Sequence, residues 1–183
     1  MIIQNDPLTK LSVSATTRPQ RPQEIDGQHY HFVSDSEFKK MVEQNEFLEH
    51  AKVFEHHYGT PKNLVENGLK NGNEVLFDID WQGARQIKER FDQSSVVSIF
   101  ILPPSLAELE RRLRNRAQDP EKIVQSRMTK ARDEISHFSE YDYILINDDL
   151  NNTYQKIRSI IEAKRVERLS KEQIDNLVKN FAK

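Results

Sequence analysis

The chain contains no cysteine, which excludes a disulfide framework and any thiolate metal site. It also lacks an apolar run near the roughly 20 residues that cross a bilayer. Its opening, MIIQNDPLTK, has neither the basic start nor the apolar stretch and small-residue cleavage site of a secretory signal. A cytoplasmic protein with no membrane partner is the expectation. Charge of one sign is missing as well: 27 Lys and Arg stand against 29 Asp and Glu, for a formal net charge of -2. That balance supplies no electrostatic reason to expect nucleic acid as a partner. Internal repeats and low-complexity tracts are absent too. What is present is a chain of 183 residues, the size of one domain with a sizeable core.

Apolar, β-branched runs alternate with helical patterns, which predicts an α/β domain with a largely parallel sheet. KLSVSA (residues 10–15), EVLFDI (74–79), SVVSIFIL (95–102) and YDYILI (141–146) read as strands, three or four of them parallel. Helix starts of the capping-box type stand at Ser34 (SDSE), Ser105 (SLAE) and Ser170 (SKEQ). After Ser105, Leu106, Leu109 and Leu113 share one helix face, while Arg111, Arg112, Arg114 and Arg116 lie mostly elsewhere. RNRAQDPEK (114–122) reads as a polar loop with a new helix starting at Pro120.

Three stretches carry chemistry. In SATTRPQRPQEIDGQHYHF (14–32), Arg18 and Arg21 stand three apart and each precedes a proline. Guanidinium is planar and permanently charged, so two of them can hold one phosphate from two directions, and Pro19 and Pro22 reduce the ordering cost of binding. An RxxR by itself is equally compatible with a solvated loop. In NEFLEHAKVFEHHYGTP (45–61), Glu49 and Thr60 form a carboxylate–hydroxyl pair. Guanine exposes two donors on its N1–N2 edge and an acceptor at O6, so such a pair is a sufficient reader. Taken singly, Glu49 also fits a surface acid and Thr60 a turn residue before Pro61. His56 and His57 beside Glu55 suggest no zinc: adjacent residues of an extended segment face opposite sides, and partners at zinc spacing are missing.

In LFDIDWQGAR (76–85) a strand ends in Asp78 and Asp80. Alternation places both carboxylates on one side at the carboxyl end of a parallel strand, where open α/β sheets bind ligands. Holding Mg²⁺ through water and orienting basic groups around phosphates are their natural tasks. Asp80 also fits the N-cap of the helix WQGARQIKERF, and the two roles are compatible.

Taken in order, these blocks resemble guanylate kinase, from about Leu11 to about Arg165. The resemblance is carried by SVSATTRPQRPQEIDGQHYHF, NEFLEHAKVF, YGTP, DIDWQGA, FILPPSLAELERRL and INDDL, in family order and spacing. It implies a P-loop NTPase-like nucleoside monophosphate kinase of α/β class, with a mostly parallel sheet. Within a domain at 1–169 it implies a GMP-binding insertion at 14–73 and a lid at 114–129, followed by a helical extension at 170–183. It further implies phosphoryl transfer from ATP to GMP, giving ADP and GDP. GMP and ATP are then the partners, Mg²⁺ accompanies ATP, and the protein is a monomer or homo-oligomer.

Residue by residue, the family's GMP-phosphate contacts fall on Ser14, Arg18, Arg21, Tyr30 and Tyr58, and its guanine readers on Glu49 and Thr60. Asp78 matches the carboxylate facing the GMP pocket, and Asp80 the one facing the phosphate and magnesium region through water. Arg116 and Arg127 match lid arginines that reach the transferring phosphates. Arg132 and Asn147 lie where the family completes phosphate and adenine binding. Catalytic roles therefore fall on Arg18, Asp80, Arg116 and Arg127, and ATP binding on Arg116, Arg127, Arg132 and Asn147.

Two departures modify this picture. The family's Gly-Arg-Gly lid pattern is here Asn115, Arg116 and Ala117. In the family a strand, a GxxxxGK[ST] phosphate loop and a helix precede the arginine loop, whereas these residues include five glycines, none in that pattern. The expectation is an N-terminus about two dozen residues short, the length of a strand, loop and helix, and a chain that binds GMP better than it turns it over. The alternative is a non-catalytic guanylate-kinase-like module binding GMP or a protein or peptide. The tail SKEQIDNLVKNFAK reads as an amphipathic helix carrying Ile174, Leu177, Val178 and Phe181, which packs on its own core or self-associates.

Overall fold

The structure, a computed structural model, describes residues 1–115, 121–167 and 171–181. A short helix α1 (Ile2–Asn5) leads into β1 (Thr9–Leu11), which pairs in parallel with β6 (Glu74–Leu76). β7 (Ile99–Leu102) and β8 (Tyr143–Ile146) form a second parallel pair. Between these pairs in sequence lies a four-stranded sheet in the order β3-β2-β5-β4, built from β2 (Ala15–Thr16), β3 (His31–Phe32), β4 (Phe47–Val53) and β5 (His56–Pro61). β2 is parallel to β3 and antiparallel to β5, and β4 with β5 is an antiparallel hairpin.

The KLSVSA stretch expected as one strand is divided. Its first part belongs to β1, the Ser12 N–H donates to the Leu76 carbonyl at 2.9 Å, and the chain then crosses to enter the other sheet at Ala15. A segment this short cannot run beside β6 and β5 at once, so the small, buried Ser12 and Ser14 make the crossing. The other three strand stretches are trimmed to three or four residues, EVLFDI at its C-terminal end and SVVSIFIL and YDYILI at their N-terminal ends. In particular, β6 ends at Leu76, so Asp78 and Asp80 sit past the paired strand in extended backbone.

Helices fill the connections. α2 (Asp35–Glu43) carries the full capping box at Ser34, with Glu37 returning the bond to the Ser34 N–H. α3 (Lys62–Lys70) follows β5, and α4 (Trp81–Arg90) follows β6 with Asp80 as N-cap. α5 (Leu106–Asn115) has only half the expected box. The Ser105 hydroxyl accepts from the Glu108 N–H at 3.1 Å, but Arg111 and Arg112 take the Glu108 carboxylate, each at 2.7 Å. α6 (Glu121–Ser136), α7 (Leu150–Glu167) and α8 (Lys171–Phe181) complete the set. The cap at Ser170, together with Arg116 and Pro120, lies outside the described residues. α8 forms as the pattern requires, yet its stripe does not pack on the core: Ile174, Leu177, Val178 and Phe181 are all exposed.

Two apolar clusters flank the four-stranded sheet. Ala15, Phe38 and Phe47 make one, with the Phe38 and Phe47 rings stacked at 4.7 Å. Leu48, Val65 and Ile87 make the other, joined by Val75, Phe77 and Ile79. Consecutive residues of one strand serve both clusters, because alternate side chains of β4 leave opposite faces. Arg165 on α7 ties the far end together through Asp6 at 2.6 Å and Glu74 at 2.7 Å.

Candidate active site

A cavity of about 330 Å³ opens where the β4–β5 hairpin meets the segment from Asp78 to Asp80. Glu49 forms its buried floor, only 3 % exposed. Strand pairing puts Glu49 opposite Thr60, and the register shifts between Phe47 and Glu49. The extra β4 residue at this bulge keeps Phe47, Leu48 and Glu49 all buried while aiming each at a different neighbour. The Thr60 hydroxyl donates to Glu49 Oε1 at 2.6 Å. Burial pushes the Glu49 carboxyl up to about 7, the Thr60 hydrogen bond opposes that rise and the nearby Asp80 charge adds to it. Gly83 completes the floor: a Cβ there would stand 2.5 Å from Glu49 Oε2, so any side chain at this turn of α4 displaces the carboxylate.

Asp80 binds the start of α4. Its carboxylate accepts from the Gly83 N–H at 3.0 Å and from Gln82 Nε2 at 2.8 Å, while the residue also lines the cavity. The N-cap therefore forms on a residue that also lines the cavity. Asp78 stands at the exposed rim. Ser14, Tyr30 and Tyr58 line the remaining wall, the two tyrosine rings meeting edge to face at 5.9 Å. Burial raises the Tyr30 hydroxyl pKa, and the Asp78 charge raises it further.

The two arginines of the Pro-rich loop are placed differently from each other. Arg18 lies over the Tyr30 ring at 5.4 Å, beside the cavity wall, and Arg21 is exposed. Neither lines the cavity. Instead Glu24, a residue the sequence reading passed over, organises the loop. It accepts from Arg18 Nη2 at 2.7 Å and from the Arg21 N–H at 2.8 Å, and its own carbonyl accepts from Gln20 Nε2 at 2.6 Å. Three residues beyond Arg21, in a loop otherwise rich in cations, an acid was the available signal.

The residues expected at the ATP side are more scattered. Arg127 projects from α6 toward Phe54, at the tip of the β4–β5 hairpin, with its guanidinium carbon 5.9 Å from the ring centre. Arg132 is exposed on α6. The Asn147 side chain accepts from the Thr153 hydroxyl at 3.3 Å, and its carbonyl from Arg112 Nη2 at 3.0 Å. A second residue that sequence reasoning missed is Glu134, also on α6, which lines the cavity with Glu49, Asp78 and Asp80. No lysine or arginine lines it among the described residues. Four carboxylates, a hydroxyl and two phenols suit a ligand whose buried end is rich in hydrogen-bond donors.

The family model for guanylate kinase matches residues 1–164. The guanylate kinase of Rickettsia bellii is 55% identical over 167 residues, covering 91% of this chain and 86% of the relative. That of Paramagnetospirillum magneticum is 52% identical over 167 residues, covering 91% and 78%. Among solved structures, the crystal structure of guanylate kinase from Anaplasma phagocytophilum aligns with a TM-score of 0.75 at 38% identity, covering 89% of this chain and 78% of the other. An α/β kinase fold with an acid-lined cavity beside the carboxyl end of a parallel strand is the class defined by fold and site together. The chain belongs to the guanylate kinase family. Its likeness to enzymes favours the catalytic reading over the binding module.

Proposed function

We propose that the protein transfers a phosphoryl group from ATP to GMP, with the acid-lined cavity as the GMP site. The observation that carries this reading is buried Glu49, which lines the cavity while its carboxylate accepts from the Thr60 hydroxyl beside it. Ionised Glu49 accepts from guanine N1–H and N2–H. As those donors arrive, they replace the Thr60 hydroxyl at the carboxylate, which frees the hydroxyl to rotate and donate to O6. Ser14, Tyr30 and Tyr58 lead from the base toward the phosphate, which Arg18 and Arg21 receive, with Glu24 holding their loop in shape.

Asp80 and Asp78 stand between this site and the approach of ATP. Arg127, Arg116, Arg132 and Asn147 form the ATP side of the proposal, with residues 14–73 as the GMP-binding unit and 114–129 as the lid. Mg²⁺ accompanying ATP fits Asp80 through water. Its carboxylate already serves two protein donors, and no group of three or more ligating side chains stands ready for direct coordination among the described residues. When bound, the ion neutralises charge on the phosphates. The cytoplasm is the proposed location, in keeping with a chain without cysteine.

Calorimetry tests the reading. Charge-assisted contacts to one phosphate contribute about 1.5–3 kcal/mol each, so guanosine should bind at least about tenfold more weakly than GMP. Equal affinities would remove Arg18 and Arg21 from the site.

A further inference from the structure

The order β3-β2-β5-β4 leaves β4 at the edge of its sheet, where alternate backbone N–H and C=O groups face away from β5. At His50 those outward groups meet a side chain instead of a strand. Gln86 on α4 accepts from the His50 N–H through Oε1 at 3.2 Å and donates from Nε2 to the His50 carbonyl at 3.0 Å. Nε2 also donates to the Gln82 carbonyl, four positions earlier on the same helix, at 3.2 Å. Both amide donors are therefore used, and turning the amide over would set its oxygen against two carbonyls, so its partners fix its orientation.

The residue before His50 is Glu49. Gly83 stands three positions before Gln86, on the same side of α4, and a Cβ on it would come within 2.5 Å of Glu49 Oε2. Two residues one turn apart on α4 thus meet two consecutive residues of β4, one at the Glu49 carboxylate and the other at the His50 peptide. Thr60 binds Oε1 of that carboxylate from β5, so α4 bounds the oxygen that Thr60 leaves open. Ile87 shares an apolar cluster with Leu48, but apolar packing is non-directional and sets no register along the strand. The two hydrogen bonds of Gln86 are directional, and they fix that register.

We propose that Gln86 is a positioning residue for base recognition: by pairing with the His50 peptide it holds Gly83 of α4 against Glu49 and so fixes carboxylate oxygen Oε2. The proposal rests on the GMP reading given above. Gln86 does not line the cavity and acts through Gly83 and Glu49. In that reading both carboxylate oxygens are needed, one for guanine N1–H and the other for N2–H. When α4 shifts, Oε2 loses its wall and the carboxylate turns off the line of the two donors.

Calorimetry on the full chain with GMP and inosine monophosphate tests it, because the second nucleotide keeps N1–H and O6 and lacks only the N2 amine. A hydrogen bond to a charged group is worth about tenfold or more in affinity, so Q86A should weaken GMP about tenfold. Inosine monophosphate should change little, and most of the preference between the two should vanish. Q86M keeps the length and packing of the side chain without the amide and should behave like Q86A. Hydrogen exchange at the His50 amide should quicken in both variants. In an E49A background, Q86A should leave the remaining GMP affinity unchanged, because coupled residues are not additive.

An unchanged preference in Q86A and Q86M would overturn the proposal whatever the exchange rate, since the base would be read without the amide. Equal weakening of GMP and inosine monophosphate, or a further loss from Q86A in the E49A background, would reduce Gln86 to a structural role and overturn it as well. Should Q86A fail to fold, Q86M carries the comparison alone. Failure of the unaltered protein to prefer GMP over inosine monophosphate would strike the base-reading role of Glu49 in the proposed function, and this proposal with it.

Discussion

The acceptor side and the α5–α6 side of this molecule are built by different means. On the proposed acceptor side, Ser14, Glu49 and Thr60 are buried, and three contacts of fixed geometry hold key side chains. Glu49 meets Thr60 across an antiparallel pair, Arg18 meets Glu24 in an ion pair whose side chains are only 13% and 14% exposed, and Asp80 caps α4. On the other side, α5 is laced with exposed pairs. Glu108 joins Arg111 and Arg112, and Arg114 joins Glu110 and Glu121. Such pairs support a helix but add little to tertiary stability, and salt screens them. From α6, Lys130 stands over the Phe54 ring, and His137, just past the helix end, stacks on Trp81. Contacts of fixed geometry belong to the half proposed to hold the base, and exposed ion pairs to the half proposed to face ATP.

The largest effect that would break this contrast concerns Glu49. Unpaired buried polar groups support discrimination of about 10⁴. Glu49→Ala should therefore collapse the preference for GMP over AMP by a factor of that order, as measured by competing the two nucleotides, while Arg18 and Arg21 still hold the phosphate. Retained selectivity would move base recognition to another group.

A smaller effect sharpens it. Burial raises the Glu49 carboxyl to about 7, so the group is mostly neutral below that pH and mostly ionised above it. Only the ionised form accepts both guanine donors. Guanosine affinity should therefore fall as pH drops below about 7, by up to about tenfold per pH unit, and Glu49→Gln should flatten the profile. Guanosine is the right probe because the phosphate of GMP itself titrates near pH 6.

The smallest expected effect is on the α5 surface. Glu110→Ala removes one of the two carboxylates facing Arg114 and should leave the melting temperature unchanged within the resolution of a thermal scan. A clear drop would mean that the helix depends on its charge network for position.

Some of this was legible along the chain. The caps at Ser34 and Asp80 are local, since each needs only residues within three positions, and both formed. The parallel strands were visible as β-branched runs bounded by turns. The split of KLSVSA was not, because which sheet a short strand joins depends on partners more than 40 residues away: Leu76 on one side, Tyr58 and Gly59 on the other. The β4 bulge was hidden for the same reason, since register is a property of two strands. Glu24 and Glu134 escaped notice because acids on loops and helix faces are common. Only the fold shows that one organises the arginine loop and that the other lies in the cavity. The exposed stripe of α8 differs from its expected packing because amphipathicity specifies a face without supplying the surface it meets.

The sequence by itself determined the chemistry available to this protein: a carboxylate and a hydroxyl suited to guanine, two arginines suited to phosphate, paired aspartates after a strand, and a helix start at each cap. These follow from side-chain chemistry and from backbone preferences that act within a few residues. The tertiary structure alone decided which of those groups meet. It set Glu49 against Thr60 through the register of β4 on β5, drew Arg18 to Glu24, and brought Glu134 from α6 to the cavity that Asp80 also lines. Each of those encounters is the sum of many weak contacts between distant segments, and no local pattern encodes such a sum.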